Sequence, residues 1–437
     1  MRILQDGTLL IRSRDLSEKK IKVLTISDHP LLPSGVGTQT CYVIKALLDS
    51  GKFEALSLGG AMRHRDYNHV NPEGYEDCWK IIPIDGYGDQ QMLRTVISQY
   101  KPDILYFMTD PRFYTWLWDM EHELRDKVPF VYYHVWDNKP YPTYNYPLYA
   151  SNDMIASISK VTSDIVQHVV PEVSEQYVPH AVDTKIFKAA DTTAENEKIK
   201  EFRGNIPNYD DKLIFFWNNR NARRKQSGTL LFWWKSFLDK VGHDKAVLLM
   251  HTDVRDEHGQ PLDYILEELG LNDGQVVFST NKVSSENLSI FYKMADCTIN
   301  ISDAEGFGLS TLESLASETP IIVTMTGGLQ EQVTDGENWF GVGIEPSSKA
   351  VIGSSQVPWI YEDRINEDDF VNACIKIFNM TPEERQALGK MGRAHILKNY
   401  GFEQFNKTWV DLMLGVHERC GSWENRKNYK SWECIEL

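Results

Sequence analysis

Twice along this chain, short apolar runs alternate with amphipathic stretches, and that double alternation most restricts how it folds. Between residues 21 and 180 the runs IKVLTIS (21–27), DILYFMT (103–109), PFVYYHV (129–135) and MIASIS (154–159) read as strands. TQTCYVIKALL (38–48) and QQMLRTVISQY (90–100) carry helical apolar spacing. The rhythm restarts with KLIFFWN (212–218), AVLLMHT (246–252), QVVFST (275–280), CTINIS (297–302) and PIIVT (320–324), with helical segments 229–241, 261–269, 285–294 and 310–316 between them. Strands apolar along their whole length are buried on both faces, so βαβ units of this kind imply parallel sheets covered by helices. The 437 residues exceed what one core organises. Two doubly wound α/β units in tandem follow.

The expected division is 1–190, 191–400 and a C-terminal helix and tail, 401–437. The join falls in the polar stretch 184–211, which shows no sustained apolar period and reads as a linker. Residues 345–365 read as a surface excursion punctuated by Pro and Gly. Its aromatic content suits either a flap that stabilises the fold or a segment near a bound substrate.

Charge narrows the partners. Lys and Arg number 46 against 62 Asp and Glu, a net charge of −16, and neither half is basic. A generic polyanion or an anionic membrane wants a basic face. The six cysteines are far apart and form no C-x-x-C pair, so a reducing, cytoplasmic setting is expected. No apolar run approaches the roughly 18 residues of a membrane span.

In open α/β sheets the chemistry gathers in the loops after the strands. The first such loop holds Gly35 and Gly37 just before a helix, where free N–H groups attract a diphosphate; a tight turn without a ligand explains them equally well. Its S-G-V-G-T spacing fails the dinucleotide fingerprint G-x-G-x-x-G. Opening the second unit, Arg220, Arg223, Arg224 and Lys225 fall within six residues of an otherwise acidic chain. Cations after a strand are what a phosphate-bearing leaving group requires. Glu305 and Glu313 flank G-F-G, one in a loop and one in the helix after it, and both can face one crevice together with the amides of Phe307, Gly308 and Leu309. The next loop repeats the design with Gly327, Gly328 and Glu331. Hydroxyl acceptors and phosphate donors converge.

E-G-F-G-L-S-T-L-E (305–313), Y-K-M-A-D-C (292–297), Arg220 with Lys225 five residues on, G-G-L-Q-E (327–331) and P-H-A-V-D-T-K-I-F (179–187) together resemble the retaining nucleotide-sugar glycosyltransferases of family 4. The resemblance implies the GT-B fold, two Rossmann-like domains facing a cleft. It implies that Glu313 holds the ribose hydroxyls of a nucleoside-diphosphate sugar, UDP- or GDP-linked, used as co-substrate without further cofactor. Arg220 and Lys225 would neutralise the departing diphosphate, and Gly35 with Gly37 would let the first loop approach it. Glu305, with the amides of Gly306, Phe307, Gly308 and Leu309, would grip the donor sugar. His134 stands where the family often has a histidine near that sugar; a buried, hydrogen-bonded histidine is the alternative. The final helix would cross back to the first domain.

No D-x-D occurs, which favours metal-independent stabilisation of the leaving group. Front-face transfer, in which the departing phosphate takes the acceptor proton, follows from the resemblance alone. The acceptor is left open among a glycan, a small molecule and a hydroxylated base in DNA. For DNA, Arg63, His64 and Arg65 with Tyr67, Tyr75 and Trp79 would supply a local patch. A sugar-nucleotide epimerase and a non-catalytic nucleotide-sugar binder are the competing classes.

Overall fold

The computed structural model describes residues 2–3, 9–10, 19–206 and 212–431. Cys434 and the end of the tail, 432–437, lie outside the described residues, as do 207–211 of the expected join. A seven-stranded parallel sheet forms from β1 (Ile21–Asp28), β2 (Phe53–Gly60), β3 (Trp79–Pro83), β4 (Ile104–Met108), β5 (Phe130–His134), β6 (Met154–Ser157) and β7 (Glu175–Tyr177), in the order β3-β2-β1-β4-β5-β6-β7. A six-stranded parallel sheet forms from β8 (Leu213–Asn218), β9 (Ala246–His251), β10 (Val276–Ser279), β11 (Cys297–Asn300), β12 (Ile321–Thr324) and β13 (Gly341–Ile344), in the order β10-β9-β8-β11-β12-β13. Each order reverses beside its first strand, and the crevice at such a switch point takes ligands.

Helices start where side chains satisfy their first N–H groups. Helix α1 (Gly35–Asp49) is capped by Ser34, whose hydroxyl accepts from Gly37 N–H, and α2 (Gln90–Tyr100) by Asp89. In the first lobe α3 (Lys160–Val169) is capped by Ser159. The expected linker departs from the reading: Thr192 caps a helix, α4 (Thr193–Gly204), none of whose residues is buried. A solvated helix lacks the apolar period that sequence patterning detects. Strands β2, β3, β7 and β13 also escape that reading. The first and last include small Gly residues, and β7 is three half-buried residues long.

The excursion at 345–365 is a β-hairpin, β14 (Ser348–Ile352) paired antiparallel with β15 (Ile360–Arg364). Beyond it, α5 (Glu367–Phe378) and α6 (Pro382–Asn399) lead into α7 (Phe402–Cys420). Helix α7 lies on α1 of the first lobe, with the Phe402 and Tyr42 rings 4.7 Å apart. Its fully buried Trp409 meets the rings of Tyr106 and Tyr133 at 5.7 and 4.8 Å. The tail follows suit: Ser422 donates to Asp103 at 2.6 Å and Arg426 to Asp153 at 2.5 Å. Among the described residues no helix is long and apolar enough to cross a membrane, and five cysteines are free.

Candidate active site

The carboxyl ends of both sheets face a cavity of about 920 Å³ between the lobes. From the first lobe, Gly35, Val135, Asp137 and His180 line it; from the second, Arg220, Arg224, Lys225, Glu305 and Glu313 do. Acidic, cationic and glycine-bearing loops distant in sequence therefore share one hollow.

Glu305, in the loop after β11, is 8% exposed, and Lys225, in the turn after β8, is 7% exposed. The Lys225 ammonium lies directly against the Glu305 carboxylate, while Arg224 stands 3.8 Å from the same oxygen. Burial alone would raise the Glu305 carboxyl, but Lys225 and Arg224 outweigh it and bring it down to about 2. Burial pulls the Lys225 ammonium down to about 8 against the pull of Glu305. Asn300 and Ser302, each 3.4 Å from Glu305, complete its surroundings.

Glu313 sits in the second turn of the helix Leu309–Ala316 that follows the β11 loop, and accepts from the Tyr292 hydroxyl at 2.8 Å. Asn218 donates to that hydroxyl at 2.8 Å, so a relay from the end of β8 fixes the carboxylate. Burial pushes Glu313 up to about 7, with Tyr292 opposing. Gly308, at φ +96°, precedes the helix in a left-handed conformation, and no side chain caps the N–H groups that follow. Those amides are open to an anion.

Several expected residues sit differently. Gly35 reaches the cavity, and a Cβ there would lie 3.2 Å from Leu309 across it. Gly37 does not line the cavity; a Cβ would lie 2.8 Å from the His29 carbonyl, so its smallness serves the loop's own turn. Gly306 approaches the first lobe closely, since a Cβ would stand 3.1 Å from the Val135 carbonyl. Phe307 lines the cavity but is buried, packed against His180 with centroids 5.1 Å apart. Leu309 is half-buried on the same wall.

His134 is a correction. It is fully buried at the end of β5, outside the cavity lining, between the rings of Tyr132 and Tyr149. Neither ring nitrogen has a hydrogen-bond partner, and burial pulls the imidazole down to about 3. Strand alternation sends its side chain into the lobe rather than toward the cleft. Glu331 is another. It accepts from the Lys160 N–H at 2.7 Å and the Tyr177 hydroxyl at 2.6 Å, pinning the lobes together away from the cavity. Arg220 reaches the cavity edge but is paired with Asp256 at 2.6 Å, and Arg223 pairs with Glu362. Of the residues expected for a DNA patch, Trp79 is 1% exposed and His64 is turned to the Gly59 and Ile84 carbonyls, while Arg63, Arg65 and Tyr67 are exposed.

Asp137, His180 and Tyr292 lie at the site without having been assigned to it from sequence, and Arg224, read only as one of the cationic cluster, reaches it as well. Asp137 is pushed up to about 6 by burial, with Arg224 opposing. His180 takes a hydrogen bond with the Tyr133 hydroxyl at 2.8 Å. The runs PHAVD and YKMADC contain two of these residues, but nothing in their composition marks a role.

Residues 198–395 match the family described as Glycosyl transferases group 1. D-inositol 3-phosphate glycosyltransferase of Paenarthrobacter aurescens is 36% identical over 206 residues, 45% of this chain and 47% of that protein. Mannosylfructose-phosphate synthase of Agrobacterium fabrum is 25% identical over 232 residues, 50% of this chain and 47% of that protein. The chain thus spans about half the length of the curated relatives it matches. Sucrose-phosphate synthase of Thermosynechococcus elongatus superposes with a TM-score of 0.71 at 17% identity, covering 91% of this chain and 100% of that one. Anabaena HepE, solved with UDP and glucose, gives 0.64 at 14% identity, covering 90% of this chain and 100% of that one. The fold is GT-B.

Proposed function

We propose that this chain, whose residues 198–395 match the group 1 glycosyltransferases, transfers a sugar from a nucleoside-diphosphate donor to an acceptor hydroxyl with retention of configuration. The Lys225–Glu305 contact inside the interlobe cavity carries this reading. A buried ion pair is an expensive arrangement unless a further partner uses its charges. In this reading the arriving diphosphate takes Lys225 and Arg224, together with the amides after Gly308. Glu305 is thereby released to accept from donor sugar hydroxyls, while Glu313, held by Tyr292, accepts from the ribose.

The acceptor oxygen bonds to the anomeric carbon, and the bond from that carbon to the diphosphate oxygen breaks with its electron pair going to the diphosphate. The acceptor proton passes to the same leaving group. Cations placed where that charge develops lower the barrier most, which is the work assigned to Lys225 and, at the rim, Arg220. The donor is UDP- or GDP-linked, and the neighbour solved with UDP and glucose favours UDP. No metal is required in this scheme.

Incubation of the purified protein with UDP- and GDP-sugars tests it. Slow release of nucleoside diphosphate without acceptor, accelerated by an acceptor, is the expected result. Release of an epimerised sugar nucleotide would replace transfer by isomerisation, and binding without turnover would leave a non-catalytic binder.

A further inference from the structure

The β14–β15 hairpin belongs to the second lobe but is tied to both. On its own side, Asp363 N–H donates to the Asp303 carbonyl at 2.9 Å and Thr326 to the Asp363 carboxylate at 2.8 Å. On the other, Asn138 donates to the Tyr361 carbonyl at 3.1 Å, and Tyr144 to the Trp359 carbonyl at 2.7 Å with their rings 4.9 Å apart. Val357, at the hairpin turn, is buried in the apolar cluster of Trp136 and Tyr149 in the first lobe. The hairpin is a strap anchored at both ends, so its inner face is a fixed wall.

Beneath it lies a side chamber of about 220 Å³. The chamber shares Asp110, Val135, Asp137 and Ile352 with the main cavity, so it opens onto the donor loop at Gly306. Pockets that enclose drug-sized ligands run to roughly 300–1,000 Å³, so this one holds a single sugar ring and not a chain of them. The hairpin's half-buried Ile352 and Ile360 offer apolar surface for a ring face, and Asp110, Asp137 and Asn138 offer groups for hydroxyls. The chamber's one cation, Arg112, is already held by both oxygens of Asp110 at 2.8 Å. At the hairpin base Arg223 is likewise held by Glu362. No free positive charge faces the chamber among the described residues.

We infer that this chamber is the acceptor pocket and that it takes a neutral, monosaccharide-sized polyol. The inference rests on the transfer reading above. A hydroxyl of the polyol reaches the anomeric carbon through the opening beside Asp137, forms the new bond there, and gives its proton to the departing diphosphate, whose bond to that carbon breaks. A phosphorylated sugar would meet no cation in the lining other than Arg112, already paired with Asp110, and the chamber has room for one ring of an acceptor.

The test compares UDP release by the full chain with D-glucose, D-mannose and myo-inositol, with glucose 6-phosphate and inositol phosphate, and with maltotriose. Calorimetric titration of UDP and GDP runs on the same sample. Stimulation by at least one neutral polyol, tenfold or more above its phosphate and above maltotriose, is expected. Ser354→Trp, which fills the chamber from the hairpin, should raise the KM of that polyol at least tenfold. Ser355→Trp, on an exposed neighbour outside the chamber lining, should not. Nucleotide binding with no stimulation by neutral polyols, a preference for the phosphates or maltotriose, or equal KM values for the two serine variants overturns the chamber assignment alone. Absence of nucleotide binding overturns the transfer reading and this inference with it.

Discussion

Lys225 and Glu305 stand eighty residues apart in sequence, yet their side chains form one buried ion pair at the floor of the interlobe cavity. The two strand-end loops that carry them, after β8 and β11, belong to neighbouring parallel strands. Parallel register delivers both loops to the same edge of the sheet. Losing the cation removes charge stabilisation of the leaving group and strands a buried carboxylate. Lys225→Ala should therefore lower turnover on the order of 10²-fold or more. Arg220, exposed and paired with Asp256, is screened by water, and Arg220→Ala should cost about tenfold. Initial rates of nucleoside diphosphate release at saturating donor measure both, and equal small losses would remove the leaving-group role.

Glu313 gives a pH signature. Its carboxyl titrates near 7 in the folded protein because burial disfavours the charge. A carboxylate accepts two ribose hydroxyls better than a protonated acid does, so nucleotide affinity should fall as pH drops through 7. Stability runs the other way. Between the ordinary glutamate range and about 7 the unfolded chain has released its proton while the folded one keeps it, so stability from this group falls as pH rises. Glu313→Gln should melt higher than the parent at pH 8, with the gap closing by pH 5, and should bind nucleotide more weakly at pH 8. Calorimetric titration and thermal melts across that range check both signs.

His134 should prove dispensable for chemistry. A neutral, fully buried imidazole with no hydrogen-bond partner cannot shuttle protons at neutral pH. His134→Leu keeps the apolar contacts with Tyr132 and Tyr149 and should retain turnover within about twofold, an ordinary effect of a near-isosteric core exchange. A drop of 10²-fold in kcat with an unchanged melting temperature would restore a catalytic role.

The two-sheet architecture was legible because buried parallel strands are apolar along their length, as in Phe216 and Ile299, and the interleaved helices carry their own period. That Glu305, Glu313 and Lys225 line one cavity is legible because the loops after neighbouring parallel strands, and the helix that follows one of them, open on the same edge of the sheet. His134 was misjudged from the same position. Whether a residue at a strand end points into the cleft or into the lobe depends on one step of alternation, and sequence spacing does not resolve it. Glu331 follows a glycine pair like the one before Glu313, yet its helix runs only from Leu329 to Val333 and turns the carboxylate toward the other lobe. The hairpin over the cleft was unreadable in detail, because β14 is mostly exposed and shows no core-facing alternation.

Glu331 supplies the last test, one of assembly rather than chemistry. Its carboxylate joins the first N–H of α3 to the Tyr177 hydroxyl, and its carbonyl accepts from Tyr400 at 3.2 Å, so elements of both lobes meet on one residue. Burial raises its carboxyl, with Tyr177 and the Lys160 N–H opposing. Glu331→Ala takes the acceptor from a half-buried hydroxyl and a helix N–H, at a cost of at most about 1–3 kcal/mol each. Glu331→Gln keeps one acceptor oxygen and should recover part of that loss. Because the residue lies outside the cavity lining, nucleotide affinity should stay near that of the parent while the denaturation midpoint falls. Chemical denaturation paired with UDP titration separates the two. Weakened nucleotide binding at unchanged stability would place Glu331 in the donor site instead of the joint between the lobes.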